Sequence, residues 1–358
     1  MEMSLYQHYL NIRQQHPGKP LHDIALMMNV SEAELLYARV GQDAQRLDIS
    51  ASILLAELEK VGVTKAITCN DYAIHEHLGE YQNLRLHGHL GLVLNPRALD
   101  LRLFFRQWGS FFSLCEETPQ GTQHSIHCFN LQGKVVHQIY STADTDLQAW
   151  QLLVEKYHCK NNAQLTLQPT DEESTHDKLI DTTAIDNAAI ESEWRKMNDI
   201  HQFFMLLKRN KITRRQAFRA VSDDLAYQVD NRALRQILHA AQTGQNEVMI
   251  FVGNNGCMQI FTGVIEQLII NQETHTHPPQ WLSVLNSRFT LHLLENAIAE
   301  SWVTRKPTQD GFISSLELLD TQGKHILQLF GQRSEGQPEQ HQWHQQLAEL
   351  TAIGSIDE

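Results

Sequence analysis

Residues 131–140 read LQGKVVHQIY and residues 321–330 read TQGKHILQLF, the same pattern displaced by 190 positions. Two further pairs keep nearly the same offset. NDYAIHEHLG (70–79) matches NNGCMQIFTG (254–263) at 184, and NPRALDLRL (95–103) matches NSRFTLHLL (286–294) at 191. Three segments in the same order at a near-constant offset mark an internal duplication, with extra residues around 271–280 accounting for the jump. The fold expected is therefore α+β and present twice: each repeat has N-terminal helices, then an antiparallel β-sheet, then a closing helix. Sheets that each need an apolar face covered would most simply stack on one another. The boundaries expected are 1–160 for the N-terminal repeat, 161–188 for a polar linker with an acidic run at 171–173, and 189–358 for the C-terminal repeat.

Within the first repeat the elements follow from periodicity and punctuation. Leu5, Tyr6, Tyr9, Leu10 and Ile12 form an amphipathic helix that stops at Pro17-Gly18. A second helix over 21–28 precedes one opened by Ser31 with Glu34 three residues on, a capping-box signature. A helix over 51–61 ends at Gly62, and short apolar segments separated by Asn, Gly and Pro then read as an antiparallel meander, closed by a helix over 147–157. The 21–40 arrangement resembles a helix-turn-helix, but its flanks hold little positive charge.

Composition narrows the function classes. The 358 residues are 42% hydrophobic and 20% charged, as in a soluble globular protein. A formal charge of −13 argues against non-specific nucleic-acid binding or attraction to anionic lipid. No window approaches 18 consecutive apolar residues and no secretory signal pattern opens the chain, so no membrane insertion is expected and the location expected is cytoplasmic. The five cysteines share no CxxC spacing, which fits a reducing compartment. Twenty histidines invite a metal or haem reading.

The chemistry-bearing candidates begin at 194–209, WRKMNDIHQFFMLLKR. On one helix, Trp194, Met197, His201, Phe204, Met205 and Lys208 would share a face. An imidazole in such a stripe serves as a packed core residue, a catalytic base or an axial ligand to a flat apolar cofactor. Glu191, Glu193 and Asp199 around it read as helix-start charges. In LDLRLFF, strand alternation puts Arg102 and Phe104 opposite Leu101, Leu103 and Phe105. That is either a solvated edge or a guanidinium reaching a pocket with an anionic or metal-bound oxygen ligand. TRKPT (304–308) reads as a basic loop; Arg333 follows Gln328 and Phe330, and Phe251 offers an apolar wall. Cations beside an apolar pocket suit propionates. The pairs His75/His77, His87/His89 and His275/His277 each show H-x-H spacing without a third ligand at readable distance. Nucleotide, zinc-protease and nucleophile-elbow motifs are absent.

Several long stretches make the chain recognisable: HPGKPLHDIALMMNVSEAEL, NPRALDLRLF, EWRKMNDIHQFFMLLKRNKITRRQAF, IFVGNNGCMQIFTGVIE and AESWVTRKPTQDGF. Over essentially its whole length it resembles the haemin-utilisation proteins of Gram-negative bacteria, the HemS/ChuS/ShuS/HmuS family. The resemblance implies two structural repeats with stacked sheets and haem b held in a cleft involving the C-terminal half. It implies His201 in MNDIHQFF as the proximal iron ligand and Arg102 in LDLRLF as the distal arginine from the other half. It also implies pocket or propionate roles for Phe104, Phe251, Lys306, Gln328, Phe330 and Arg333. Phe330 departs from the tyrosine of close relatives, which removes one hydroxyl. The function implied is haem binding and trafficking in iron acquisition, with haem breakdown by ascorbate and oxygen or by NADH as the enzymatic possibility. The partners implied are haemin itself and an inner-membrane haem importer or a downstream haem acceptor. A carrier without turnover and a DNA-binding side role through the N-terminal helices are the alternatives.

Overall fold

The computed structural model describes residues 3–160, 164–169, 185–270, 281–334 and 336–353. The acidic run at 171–173, the loop at 271–280 and its pair His275/His277 lie outside the described residues. The chain divides into two compact units. Unit 1 is Met1–Cys69, Glu76–Thr170 and Gly253–Gln259; unit 2 is Asn70–His75, Asp171–Val252 and Ile260–Glu358. Each unit thus includes a short turn from the other half of the chain, a feature that the boundaries read from the sequence do not contain.

Unit 1 opens with α1 (Leu5–Gln15), α2 (Leu21–Met28) and α3 (Glu32–Ala38), followed by β1 (Ala44–Leu47) and α4 (Ala51–Leu58). The capping box at Ser31 and Glu34 is formed as the sequence predicts. The helix expected to run to Val61 instead tightens into a 3-10 turn over Glu59–Val61, and Gly62 ends it with a positive φ of 73°. The strands are β2 (Gly62–Cys69), β3 (Ala73–Gly79), β4 (Leu84–His87), β5 (Leu90–Val93), β6 (Asp100–Phe104), β7 (Trp108–Thr118), β8 (Gly121–Asn130) and β9 (Val135–Thr145), with α5 (Leu147–Tyr157) closing the unit. The strand order runs β1-β7-β8-β9-β2-β3, and β4, β5 and β6 form an antiparallel meander. Strand β7 carries no sequence alternation because it is covered on both faces: Phe111 joins the core under α4 and α5, while Phe112 and Leu114 join a second one under α3.

Unit 2 repeats the plan with α6 (Asn187–Arg195), α7 (Gln202–Asn210), α8 (Arg214–Arg219), β10 (Ala226–Val229) and α9 (Ala233–Gly244). Then come β11 (Val248–Gly253), β12 (Cys257–Gly263), β13 (Gln267–Ile270), β14 (Trp281–Leu285), β15 (Phe289–Leu294), β16 (Glu300–Thr308), β17 (Gly311–Leu319), β18 (His325–Gly331) and α10 (His341–Ala348). The order β10-β16-β17-β18-β11-β12 reproduces that of unit 1. One sheet face packs on α9, through Ala233, Leu234, Ile237, Leu238 and Ala241, and on α10 through Trp343. Gly331 allows that last approach, since a Cβ there would lie 2.5 Å from Trp343 Cγ. The duplication extends to the helices. Asn29 and Lys211 are matched left-handed C-caps, each followed by a capping box, Ser31–Glu34 and Thr213–Gln216.

The two exchanged turns are built alike. Asn70 Oδ1 accepts the N–H groups of Tyr72 and Ala73, and its Nδ2 donates to Ile326 O at 2.9 Å. Asn254 Oδ1 accepts those of Gly256 and Cys257, and its Nδ2 donates to Val136 O and Cys69 O, both at 2.9 Å. The Leu294 N–H then donates to Tyr72 O in unit 2 as the Phe104 N–H does to Gly256 O in unit 1. These asparagines are the chemical reason the motif NDY/NNG recurs at an offset of 184.

The opposite face of the unit 2 sheet carries a buried ion cluster beneath α6, α7 and α8. Lys306 Nζ donates to Glu317 Oε1 and Thr304 Oγ1, both at 2.6 Å, and lies 4.8 Å from the Phe203 ring centre. Arg214 Nη1 reaches Glu317 Oε2 at 3.0 Å. Burial would raise the Glu317 carboxyl, but Lys306, Arg214 and His325 outweigh it and hold the group far below the usual carboxylate range. Glu339, just before α10, accepts the Ser314 N–H at 2.8 Å, and His344 Nε2 stands 3.3 Å from its other oxygen.

Removing one member of a buried ion pair leaves an uncompensated charge. Lys306→Met is therefore expected to lower unfolding free energy by roughly 3 kcal/mol, read from the urea midpoint; an unchanged midpoint would show that Glu317 is satisfied without it. Burial pushes the Glu339 carboxyl up to about 7, against the Ser314 hydrogen bond and the Arg333 and Lys306 charges. An acid with a raised folded pKa binds more protons folded than unfolded. Its stabilisation is present below the unfolded value, near 4.5, and is lost as pH rises through about 7. Between pH 5 and pH 8 (roughly) the natural protein is expected to lose on the order of 2 kcal/mol more stability than Glu339→Gln. Parallel pH–stability curves for the two proteins would exclude Glu339 as the source.

Candidate functional site

The stretch 194–209 is two helices, not one. Helix α6 ends at Arg195 and α7 begins at Gln202, so Trp194 and Met197 do not continue the His201 stripe. Trp194 is fully buried, its ring centre 4.7 Å from that of Phe203, and its Nε1 donates to Arg305 O at 2.8 Å. The break is chemical: the Asn198 N–H donates to Gln202 Oε1, and Asp199 Oδ1 accepts the His201 N–H at 2.8 Å. Past the break, His201, Phe204, Met205 and Lys208 lie at i, i+3, i+4 and i+7; all four are exposed, while Phe203 and Leu206 turn into the core. A helix that shows solvent a phenyl at 64% and a thioether at 50% exposure is incompletely covered as it stands.

His201 itself is 88% exposed, and its Nδ1 lies 2.7 Å from Asp199 Oδ1. An ionised carboxylate only accepts hydrogen bonds, so Nδ1 is the protonated nitrogen of the neutral ring and Nε2 carries the lone pair. Among the described residues nothing takes that lone pair. Asp199 is held below the usual carboxylate range first by the His201 N–H, then by the ring, with the Arg333 charge adding to both. It stands at a helix start, as the sequence suggests, closing the turn before α7, and it also holds the His201 ring. Glu191 and Glu193 lie beyond the first turn of α6, so they are not helix-start charges; they pair with Arg195 and Arg209.

Phe251, Gln328 and Phe330 share one half-buried sheet face. Phe251 faces Gln328 across β11 and β18, and its ring centre is 5.1 Å from that of Phe330. Arg333 follows at the end of β18, 3.8 Å from Asp310 at the tip of the β16–β17 hairpin. That tip also holds the His201 turn, because the Gln309 N–H donates to Asn198 O at 3.1 Å. The structure thus groups His201, Asp199, Asp310 and Arg333. The expected basic loop at 304–308 is overturned: those residues belong to β16, and Lys306 is only 3% exposed with its ammonium engaged by Glu317. The sequence hid this because a Lys-Pro step resembles a turn, whereas Pro307 stands near the end of the strand.

In unit 1, Leu101 and Leu103 are buried, Arg102 is half-buried and Phe104 is exposed, as alternation predicts. Arg102 forms an ion pair with the buried Asp100 and donates to Leu101 O. The H-x-H pairs separate in character. His75 and His77 are buried, the former 4.7 Å from the Phe289 ring centre, while His87 and His89 are exposed. Among the described residues no group of three His, Cys, Asp or Glu side chains is placed to hold a metal ion. The second helix of the 21–40 pair shows Glu32 and Glu34, and Arg39 at its end is buried against Asp43 and Glu116. Among the described residues no helix is long and apolar enough to cross a membrane.

Comparison with known proteins places the whole chain. It matches the haemin-degrading HemS.ChuX domain model over residues 29–157 and 211–350, one segment in each repeat. It is 55% identical to the hemin transport protein HmuS of Yersinia pestis over 350 residues, 98% of each chain. It is 53% identical to the hemin transport protein HemS of Yersinia enterocolitica over the same share. The heme degrading enzyme ChuS of Escherichia coli O157:H7 superposes with a TM-score of 0.89 at 49% identity, over 97% of this chain and 98% of that one. The holo form of PhuS, a heme-binding protein from Pseudomonas aeruginosa, gives 0.90 at 36% identity over 98% and 99%. With both repeats matched, the chain belongs to the haemin-degrading HemS/ChuX-domain family.

Proposed function

We propose that this protein binds haem in the cytoplasm as part of haem-iron uptake, and that it opens the bound macrocycle to release iron. The observation that carries the reading is the His201 ring: exposed, its Nδ1 held by Asp199, its Nε2 lone pair available, and flanked along α7 by exposed Phe204 and Met205. That donor set fits a flat apolar group with one axial imidazole, and the neutral Nε2 is the nitrogen such a bond requires. The full-length similarity to proteins described as hemin transport, heme-binding and heme degrading supports the same ligand.

His201 supplies the axial nitrogen, and the exposed Phe204 and Met205 supply apolar contact area. Phe251, Gln328 and Phe330 are proposed to line the site. Arg333, half-buried beside Asp310, is proposed to meet a propionate by charge-assisted hydrogen bonding. Lys306 would act there only if Glu317 released it. Arg102, steadied by Asp100, is proposed as the distal polar residue, with Phe104 as an apolar neighbour. When bound, haem supplies the redox-active iron, and an external reductant such as ascorbate or NADH supplies electrons. Delivery by an inner-membrane importer and transfer to a downstream acceptor complete the proposed route. A carrier without turnover uses the same side chains, so turnover itself must be measured.

The deciding experiment is an absorbance time course of protein loaded with one equivalent of haemin, with ascorbate in air plus catalase, and with NADH in the absence of oxygen. Loss of the Soret band with iron captured by a ferrous chelator is expected under at least one condition; a stable spectrum under both, with transfer to an apo-acceptor, would make the protein a carrier only. His201→Ala is expected to weaken ferric haem binding at least tenfold, about 1.4 kcal/mol, and to shift the Soret band. Unchanged affinity and spectrum would remove His201 from the iron. Arg102→Ala is expected to spare affinity more and to slow Soret loss; equal turnover would remove the distal assignment.

A further inference from the structure

Resting on the haem reading of His201, the geometry assigns to Asp199 the task of positioning residue for the iron ligand: it fixes the ring's tautomer and orientation and lends the imidazole anionic character. The carboxylate makes two hydrogen bonds to one residue, accepting the His201 N–H at 2.8 Å and facing its Nδ1 at 2.7 Å. The backbone bond closes an Asx turn at the start of α7, so the carboxylate is fixed relative to the helix before the ring meets it. Because the same oxygen takes both bonds, the ring is held in one rotamer with Nδ1–H inward and Nε2 outward. The turn is itself anchored, through the Gln309 N–H to Asn198 O, to the hairpin whose Asp310 faces Arg333.

A purely structural reading exists, since Asx turns cap helices without any ligand. The two readings differ in what the ring nitrogens do. An imidazole donating to a carboxylate is a more basic ligand than one donating to water, and loss of such outer partners typically lowers metal affinity about 10–100-fold. The neighbouring repeat sharpens the contrast. With the C-caps Lys211 and Asn29 aligned and no gap before them, Lys19 stands where His201 does and Pro17 stands where Asp199 does. Histidine and carboxylate thus occur together in one repeat and are both replaced in the other.

The test separates the inference from the reading on which it rests. In the apo-protein, nitrogen NMR of the His201 ring is expected to show the Nδ1-protonated tautomer, and Asp199→Ala is expected to move the ring toward the Nε2-protonated form. Asp199→Asn keeps an oxygen for the His201 N–H, so the cap survives without the charge. On haem-loaded protein it is expected to lower ferric affinity about 10–100-fold and to move the ferrous iron–histidine stretch to lower frequency. An unchanged tautomer in Asp199→Ala, or an unchanged stretch and affinity in Asp199→Asn, would overturn the assignment. Undiminished haem affinity in His201→Ala would instead overturn the haem reading, while the apo tautomer result would stand on its own.

Discussion

Glu317 is a fully buried carboxylate on β17, and the presentation of His201 depends on how it is neutralised. An isolated charge there would be prohibitive, so the sheet supplies Lys306 from β16 and the helical layer supplies Arg214 from α8. Both cations also sit against Phe203, Lys306 at 4.8 Å and Arg214 at 5.5 Å from the ring centre. The inward face of α7 is thus fixed by aromatic packing over a closed ion cluster. With that face held, the alternate residues His201, Phe204 and Met205 have no course but outward, and the helix offers an apolar edge with one imidazole on it.

The candidate side chains in the two units are aimed by the same device reached through different backbones. Asp100 pairs with Arg102 and Asp199 with His201, each carboxylate two residues ahead of the group it holds. On β6 the spacing works because residues i and i+2 share a strand face. Before α7 it works because an Asx turn folds the carboxylate back over the second residue. A carboxylate restrains a guanidinium by ion pairing and an imidazole by fixing its tautomer. The common result is a long or freely rotating side chain with fewer available conformations before any ligand arrives.

How much of this could be read in the sequence follows from how local each signal is. The repeat, the capping box at Ser31 and Glu34, the alternation through Leu101 to Phe104 and the closing helix α5 are all short-range patterns, and each appears as read. Strand β7 was not legible because covering both faces erases the period-2 signal. The break between α6 and α7 was hidden by apolar residues that keep helical spacing across it, although Asn198-Asp199 was a usable mark of a turn. Lys306 looked exposed because its partner Glu317 lies 11 positions away, on a strand that only folding brings alongside. The exchange of the Asn70 and Asn254 turns is a matter of topology, and no periodicity records it.

Divergence between the repeats is the remaining source of information, and it points one way. At the 190 offset, Lys306 corresponds to Glu116, Glu317 to His127 and Phe330 to Tyr140. Unit 1 therefore solves the same packing problem with reversed placement. Its buried cation, Arg39, follows helix α3 and its carboxylate, Glu116, lies on the strand, while His127 is buried, lowered by desolvation to about 4 and hydrogen-bonded by Ser125 and Gln138. Both arrangements close a charge cluster beneath a helical layer, so the fold is served equally by either. They differ in what they leave at the surface: unit 1 has proline, glycine and lysine between α1 and α2, and unit 2 has a carboxylate-held imidazole between α6 and α7. A duplicated fold leaves each copy free to vary at that connection, and the residues that differ there are those with no part in the core.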